Sequence, residues 1–198
     1  MDAMKELRSY LDRYIYLSDE QFSLLSSCVK VVDLSQGDYF LREGNVCRTI
    51  GFVIEGTLRT LHFDREGEVT LYFIQEGSLV VLPDSFRYQA PATENIQAVT
   101  PVRLWVIRYE DMIRLFGEIS ALGRLMQTMV EEVNRKRSLT RIMDGKEVRD
   151  RAEVFKKEYP GLMESLPVPL LASFLRISPN ELKRTIEGVN GSLDSVLA

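Results

Sequence analysis

The sequence predicts an α+β chain: an antiparallel β-roll, or jelly roll, preceded by helices and followed by a long helix and an all-α C-terminal region. Three observations predict it. Short apolar or alternating runs between residues 31 and 107 are separated by glycine-bearing turn signals, which is the pattern of many short strands. Apolar residues between 119 and 133 then recur at a 3,4,3,4 spacing, the mark of a helical seam. Residues 170–186 finally read as a helix, a tight turn and a second helix with a well-marked start.

Residues 2–30 carry the helical period: Leu7, Leu11, Tyr14 and Ile15 share one face, and Ser18-Asp19-Glu20-Gln21 opens a second helix carrying Phe22, Leu24 and Leu25. From Val31 the period becomes that of strands, with runs at 31–34, 39–41, 50–54, 58–63, 69–74, 96–99 and 102–107. The turns between them hold Gly37, Gly44, Gly56, Gly67 and Gly77, where glycine permits backbone angles that other residues resist.

After Tyr109 the helical period returns. Ile119, Leu122, Met126, Met129 and Val133 form the seam, and a helix over 117–143 would span roughly 40 Å. So narrow a stripe on so long a helix pairs most simply with its twin in a homodimer; the alternative is packing along its own β-roll. Asp144-Gly145 breaks the helix, and 146–159 forms another. The expected organisation is residues 1–116 as the β-roll with its N-terminal helices, 117–144 as the dimerisation helix and 145–198 as the C-terminal helical domain.

In that domain Ser178 can cap the last helix, Pro179 suits its first position and Glu181 completes a capping box. Leu171, Phe174, Leu175, Ile177, Leu182 and Ile186 lock the helix pair, leaving Asn180, Lys183 and Arg184 outward. A helix-turn-helix offers a reading helix to DNA in this way, although any capped helix pair has the same local signature.

Hydrophobic content of 45% and charged content of 27% over 198 residues describe an ordinary globular chain. The opening Met1–Glu6 has no apolar run behind it and no window is long enough to span a bilayer, so neither a signal peptide nor a membrane partner is expected, and a cytoplasmic location is. Charge is uneven: residues 1–133 hold 13 Lys and Arg against 20 Asp and Glu, whereas 134–198 hold 12 against 9. Only the C-terminal part is therefore suited to phosphates, and weakly. Cys28, Cys47 and His62 are too few for a disulfide framework, an iron–sulfur cluster or a histidine metal site, so no cofactor and no metal are expected. No nucleophile–base arrangement, paired carboxylates or phosphate loop is visible, so the chain is not read as an enzyme.

This order of parts resembles the Crp/Fnr (catabolite activator protein) transcription regulators over essentially the whole chain. The segments that carry the resemblance are Gly37-Asp38-Tyr39-Phe40-Leu41-Arg42-Glu43-Gly44, Phe52-Val53-Ile54-Glu55-Gly56-Thr57-Leu58-Arg59, Arg65-Glu66-Gly67-Glu68 and Ile177-Ser178. Glu158-Tyr159-Pro160-Gly161-Leu162 with Leu166-Pro167 looks like the Bacteroidetes-type branch. The resemblance implies a cyclic-nucleotide-binding-type β-roll, a dimerisation helix and a bacterial helix-turn-helix DNA-binding domain. An effector in the roll would shift the long helices and reorient the reading helices on a pseudo-palindromic site in double-stranded DNA.

The chain departs from the family in two places. Members that bind cyclic AMP carry a Gly-Glu pair and, about ten residues later, an Arg followed by Ser or Thr. Val81 and Leu82 stand at the first pair and Ala92-Thr93 at the second, so a cyclic phosphate would face Leu and Ala where it needs donors. Ser85 and Arg87 complete the expected pocket of Val81, Leu82, Ser85, Arg87, Ala92 and Thr93, whose effector, if any, is then a small molecule other than cyclic AMP. At the DNA end, Pro179 and Asn180 replace the family's usual Arg and Glu, leaving Ser178, Asn180, Lys183 and Arg184 as the expected contacts. Asn180 favours adenine, Arg184 guanine, and Lys183 a phosphate. After Ile186 no full β-hairpin wing fits before Ala198, and the Gly188–Gly191 tail reads as irregular. The chain is thus expected to be a dimeric, sequence-specific DNA-binding transcription regulator. The alternative is a degenerate cyclic-nucleotide-binding-like module that binds a small ligand or a protein without touching DNA.

Overall fold

The structure, a computed structural model, describes residues 3–65, 67–143 and 145–187. The expected turn residue Glu66, the helix break at Asp144 and the 188–191 tail lie outside the described residues, as do the side chains of Met129, Arg184 and Ile186. The elements run α1 (Ala3–Leu11), α2 (Asp19–Cys28), β1 (Lys30–Leu34), β2 (Tyr39–Leu41), β3 (Thr49–Glu55), β4 (Thr57–Phe63), β5 (Glu68–Gln75), β6 (Leu79–Val80), α3 (Pro83–Tyr88), β7 (Asn95–Ala98), β8 (Val102–Arg108), α4 (Tyr109–Glu118), α5 (Ala121–Met143), α6 (Val148–Glu158), α7 (Leu162–Ser165), α8 (Val168–Leu175) and α9 (Pro179–Glu187). The chain divides into two compact units, Met1–Arg59 with Ile74–Arg135, and Thr60–Phe73 with Lys136–Ala198.

All seven strands expected from the sequence form, each within a residue or two of its expected limits. β6 and α3 were not anticipated: Leu79–Val80 is only two residues, and α3 starts at Pro83 with no side-chain cap to mark it. The strands make two four-stranded sheets, β1-β8-β3-β6 and β2-β7-β4-β5. In the first, β8 runs antiparallel to both β1 and β3, with Trp105 opposite Val31 on one side and Phe52 on the other. The register slips between Val53 and Glu55, which brings Glu55 opposite Arg103.

The main core of the first unit lies between this sheet and the helices. Leu7, Tyr10 and Leu11 from α1, Leu25 and Cys28 from α2, Leu115 from α4 and Leu122 and Leu125 from α5 pack around Trp105. Tyr10, Phe52 and Trp105 form a ladder of rings, with centroids 3.8 and 5.6 Å apart. Ser18 caps α2 as expected, its Oγ accepting from the Gln21 N–H while Gln21 accepts from the Ser18 N–H. Tyr14 lies beyond the end of α1 and is exposed, unlike the Leu7, Leu11 and Ile15 it was grouped with.

The long helix needs correction. Residues 117–143 do not form one helix: α4 ends at Glu118, Ile119 sits at the break with φ −129° and ψ 87°, and α5 begins at Ala121. Ile119 is therefore no seam residue of α5. It is wholly buried, and with Leu122 it belongs to the core of its own unit. A 3,4,3,4 stripe reports which face of a helix is covered but not what covers it, so the N-terminal part of the stripe was legible only as apolar.

The second unit is built on rings. Phe73, Phe155, Tyr159 and Phe174 stand with centroids 4.9 to 6.0 Å apart. The Tyr159 hydroxyl accepts from the Phe73 N–H at 3.2 Å. Ser173 ties α8 to β5: its Oγ donates to the Glu68 carbonyl at 2.9 Å and accepts from the Thr70 N–H at 2.8 Å.

Candidate functional site

The expected effector residues occupy the α3 and β7 region of the first unit. Val81, Leu82 and Ala92 are buried at 1, 3 and 4% exposure and present apolar side chains. The hydroxyl of Ser85 is committed inside the protein, accepting from the Cys47 N–H at 2.9 Å and donating to the Ala90 carbonyl at 2.6 Å. Both backbone groups of Ala92 are used as well: its N–H donates to Asn45 and its carbonyl accepts from Gly44, each at 2.8 Å. The 43–47 loop is therefore stitched to the segment where a ligand loop was expected. Burial pushes the Cys47 thiol above its ordinary pKa, so it stays protonated at neutral pH.

Arg87 and Thr93 do not join this group. Both are exposed, and the Arg87 guanidinium stacks 5.4 Å from the Tyr88 ring. The structure thus brings together Val81, Leu82, Ser85 and Ala92 as packed interior, without gathering cationic donors among them. A dianionic or monoanionic phosphate placed against such a wall would lose hydration without a compensating charge.

A buried cation does exist, on another strand. Arg59 of β4 is 4% exposed; its Nε and Nη2 donate to Gln97 Oε1 at 3.2 and 2.6 Å, and Gln97 Nε2 donates to the Gly37 carbonyl at 3.0 Å. Sequence reasoning missed it because Arg59 falls in an alternating run whose polar positions read as outward-facing. Arg103 is a second cation of this unit with a paired setting. It makes a two-pronged bond to Asp33, Nε–Oδ1 at 2.8 Å and Nη2–Oδ2 at 3.3 Å, across the β1–β8 register. That hydrogen bond holds the exposed Asp33 carboxyl below the usual carboxylate range.

The expected nucleic-acid residues lie on α9 and its start. Ser178 Oγ accepts from the Glu181 N–H at 3.1 Å, as the capping box requires. Leu171, Phe174, Leu175 and Leu182 are buried, while Ser178, Asn180 and Lys183 are exposed. The turn between α8 and α9 passes through Arg176 in the left-handed region, at φ 55°. Arg151 of α6 holds the end of α8, donating from Nη1 to the Leu175 carbonyl at 2.6 Å and from Nε to Lys146 at 2.9 Å. A guanidinium at a helix C-terminus satisfies carbonyls that the helix itself leaves open.

Among the described residues no group of His, Cys, Asp and Glu could hold a metal ion, and no helix is long and apolar enough to cross a membrane. Residues 31–119 match the cyclic nucleotide-binding domain family. Comparison with curated proteins gives no match. Among solved structures, one described as a transcriptional regulator of the Crp/Fnr family from Eubacterium rectale has a TM-score of 0.69 at 19% identity, over 87% of this chain and 86% of that one. The c-di-GMP responsive global regulator CLP of Xanthomonas campestris has a TM-score of 0.68 at 16% identity, over 86 and 91%. FixK2 of Bradyrhizobium japonicum has a TM-score of 0.65 at 11% identity, over 83 and 88%. At these identities the likeness is one of fold: a cyclic nucleotide-binding-type domain and helices, as in regulators of the Crp/Fnr type.

Proposed function

We propose that the chain is a dimeric, sequence-specific DNA-binding transcription regulator of the Crp/Fnr type, of the branch suggested by its Glu158–Leu162 and Leu166-Pro167 segments, with a sensory β-roll that does not take cyclic AMP. The observation that carries the DNA reading is the capped start of α9: Ser178 satisfies the Glu181 N–H, Leu182 faces inward, and Asn180 and Lys183 stand exposed on the same first turns. The N-terminal turns of a reading helix are what enter the major groove. The C-terminal excess of Lys and Arg supports the same end of the chain as the one that meets phosphates. Val81, Leu82 and Ala92, all apolar and buried, support a roll without a cyclic-phosphate site. Dimerisation then rests on the rest of the expected seam, Met126, Met129 and Val133, of which Met126 is half-buried, rather than on Ile119 and Leu122.

Selection of binding sites from genomic DNA, followed by shift assays on the best site, tests this. Arg184→Ala is expected to cost about 1–3 kcal/mol and to relax preference at a single base position, whereas Lys183→Ala weakens all sequences alike and lowers the salt slope by about 1. Failure of the parent protein to shift any duplex at low salt would instead favour the small-ligand or protein-binding module.

A further inference from the structure

We propose that Arg151 is the positioning residue of the reading helix: its guanidinium ties the joint after α5 to the turn that aims α9. This rests on the DNA reading above and deepens it by naming where, inside the second unit, the approach of α9 is set. Arg151 lies in the first turn of α6. Its backbone N–H donates to the Glu147 carbonyl at 3.1 Å, and its Nε to the Lys146 carbonyl at 2.9 Å. Both acceptors belong to the short joint between the end of α5 at Met143 and the start of α6 at Val148, which passes through Gly145 at φ +79°. The same side chain reaches 24 residues along the chain, donating from Nη1 to the Leu175 carbonyl at 2.6 Å. A guanidinium is planar, so Nε and Nη1 hold the two carbonyls in one fixed fork, whereas a lysine offers a single nitrogen.

Leu175 is the last residue of α8 and 1% exposed, and its carbonyl is one of those a helix leaves without an internal partner. A buried carbonyl stripped of its donor is costly, so Arg151 fixes the point at which the chain leaves α8. The next residue, Arg176, holds φ 55° and ψ 47°, the left-handed conformation that glycine adopts readily at helix ends and other residues resist. Its N–H donates to the Ala172 and Ser173 carbonyls and the Ile177 N–H to Ala172, and Ser178 then caps α9. A strained residue persists only where its surroundings over-determine it. Here the closing bonds of α8 act on one side and Arg151 on the other. Release of Arg151 lets Arg176 leave the left-handed region, which turns α9 off its angle while both helices stay formed.

The full-length protein and its variants are compared by shift assay on the best duplex across a salt series. Arg151→Met, similar in reach but without donors, is expected to bind about tenfold more weakly with an unchanged salt slope, because no phosphate contact is lost. Arg151→Lys keeps the charge but not the fork and is expected to stay about threefold weak; should Arg151→Met not fold, Arg151→Lys carries the same comparison. Arg176→Gly takes the turn without strain, so Arg151→Met combined with it is expected to bind within about twofold of Arg176→Gly alone. A role confined to the stability of α6 would leave the defect in place, so this suppression reads position rather than folding. Parental affinity in Arg151→Met, a salt slope lowered by about 1 as loss of a phosphate contact requires, or a defect that persists beside Arg176→Gly overturns the proposal. Any of those three leaves the DNA reading standing, whereas a parent protein that shifts no duplex ends both.

Discussion

Gly56 shows how a single atom can decide a hairpin. It turns β3 into β4 at φ +94°, and a Cβ there would collide with the Pro101 carbonyl. Gly56→Ala combines left-handed strain with that clash, so a loss of about 2 kcal/mol or more is expected in urea unfolding; a loss under 0.5 kcal/mol would contradict the geometry. At Asp33 the same scale governs charge. Arg103 holds its carboxyl low, so Asp33 takes up its proton at a lower pH than an ordinary carboxyl does. A depressed carboxylate pKa contributes stability above the unfolded value and loses it as pH falls through the folded one. Because the pair is exposed, its effect belongs in the titration rather than in the melting point. Arg103→Gln should move the Asp33 side-chain NMR titration upward, and an unmoved midpoint would remove Arg103 as the cause.

Helix starts were the most legible elements, and for a local reason. A cap needs only a hydroxyl and an amide three residues apart, and both Ser18 and Ser178 make that bond. Ser178→Ala is expected to cost about 1 kcal/mol, seen as earlier loss of helical circular dichroism, with Ser178→Asp restoring most of it. Strand existence was legible for a similar reason, since alternation and glycine turns are written along a short stretch. β6 escaped because two residues carry no period, and α3 because Pro83 opens it without a capping hydroxyl. The break at Ile119 was illegible because a stripe drawn across two helices looks continuous when only side-chain spacing is read. The candidate pocket fared likewise: Ser85 reads as available in sequence, yet only the fold brings Cys47, 38 residues away, onto its hydroxyl. Arg59 was passed over because one-dimensional patterning does not report which polar atoms end up inside.

At the scale of the whole molecule, the proposed regulator must be a pair. Sedimentation equilibrium at micromolar concentration is expected to give twice the 22.7 kDa chain mass, and Met126→Glu, at a half-buried position, to halve it; a parent protein sedimenting at the single-chain mass would defeat the proposal. The second unit has a consequence for how the chain is made. Thr70 finds Ser173 across 103 residues, and Phe73 finds its three aromatic neighbours at a similar remove. A ribosome adding about 5–20 residues per second leaves that ribbon waiting roughly 5–20 s for its mates. Through that interval a fully apolar ring has nowhere to hide, and nascent-chain helpers are the natural shelter for it.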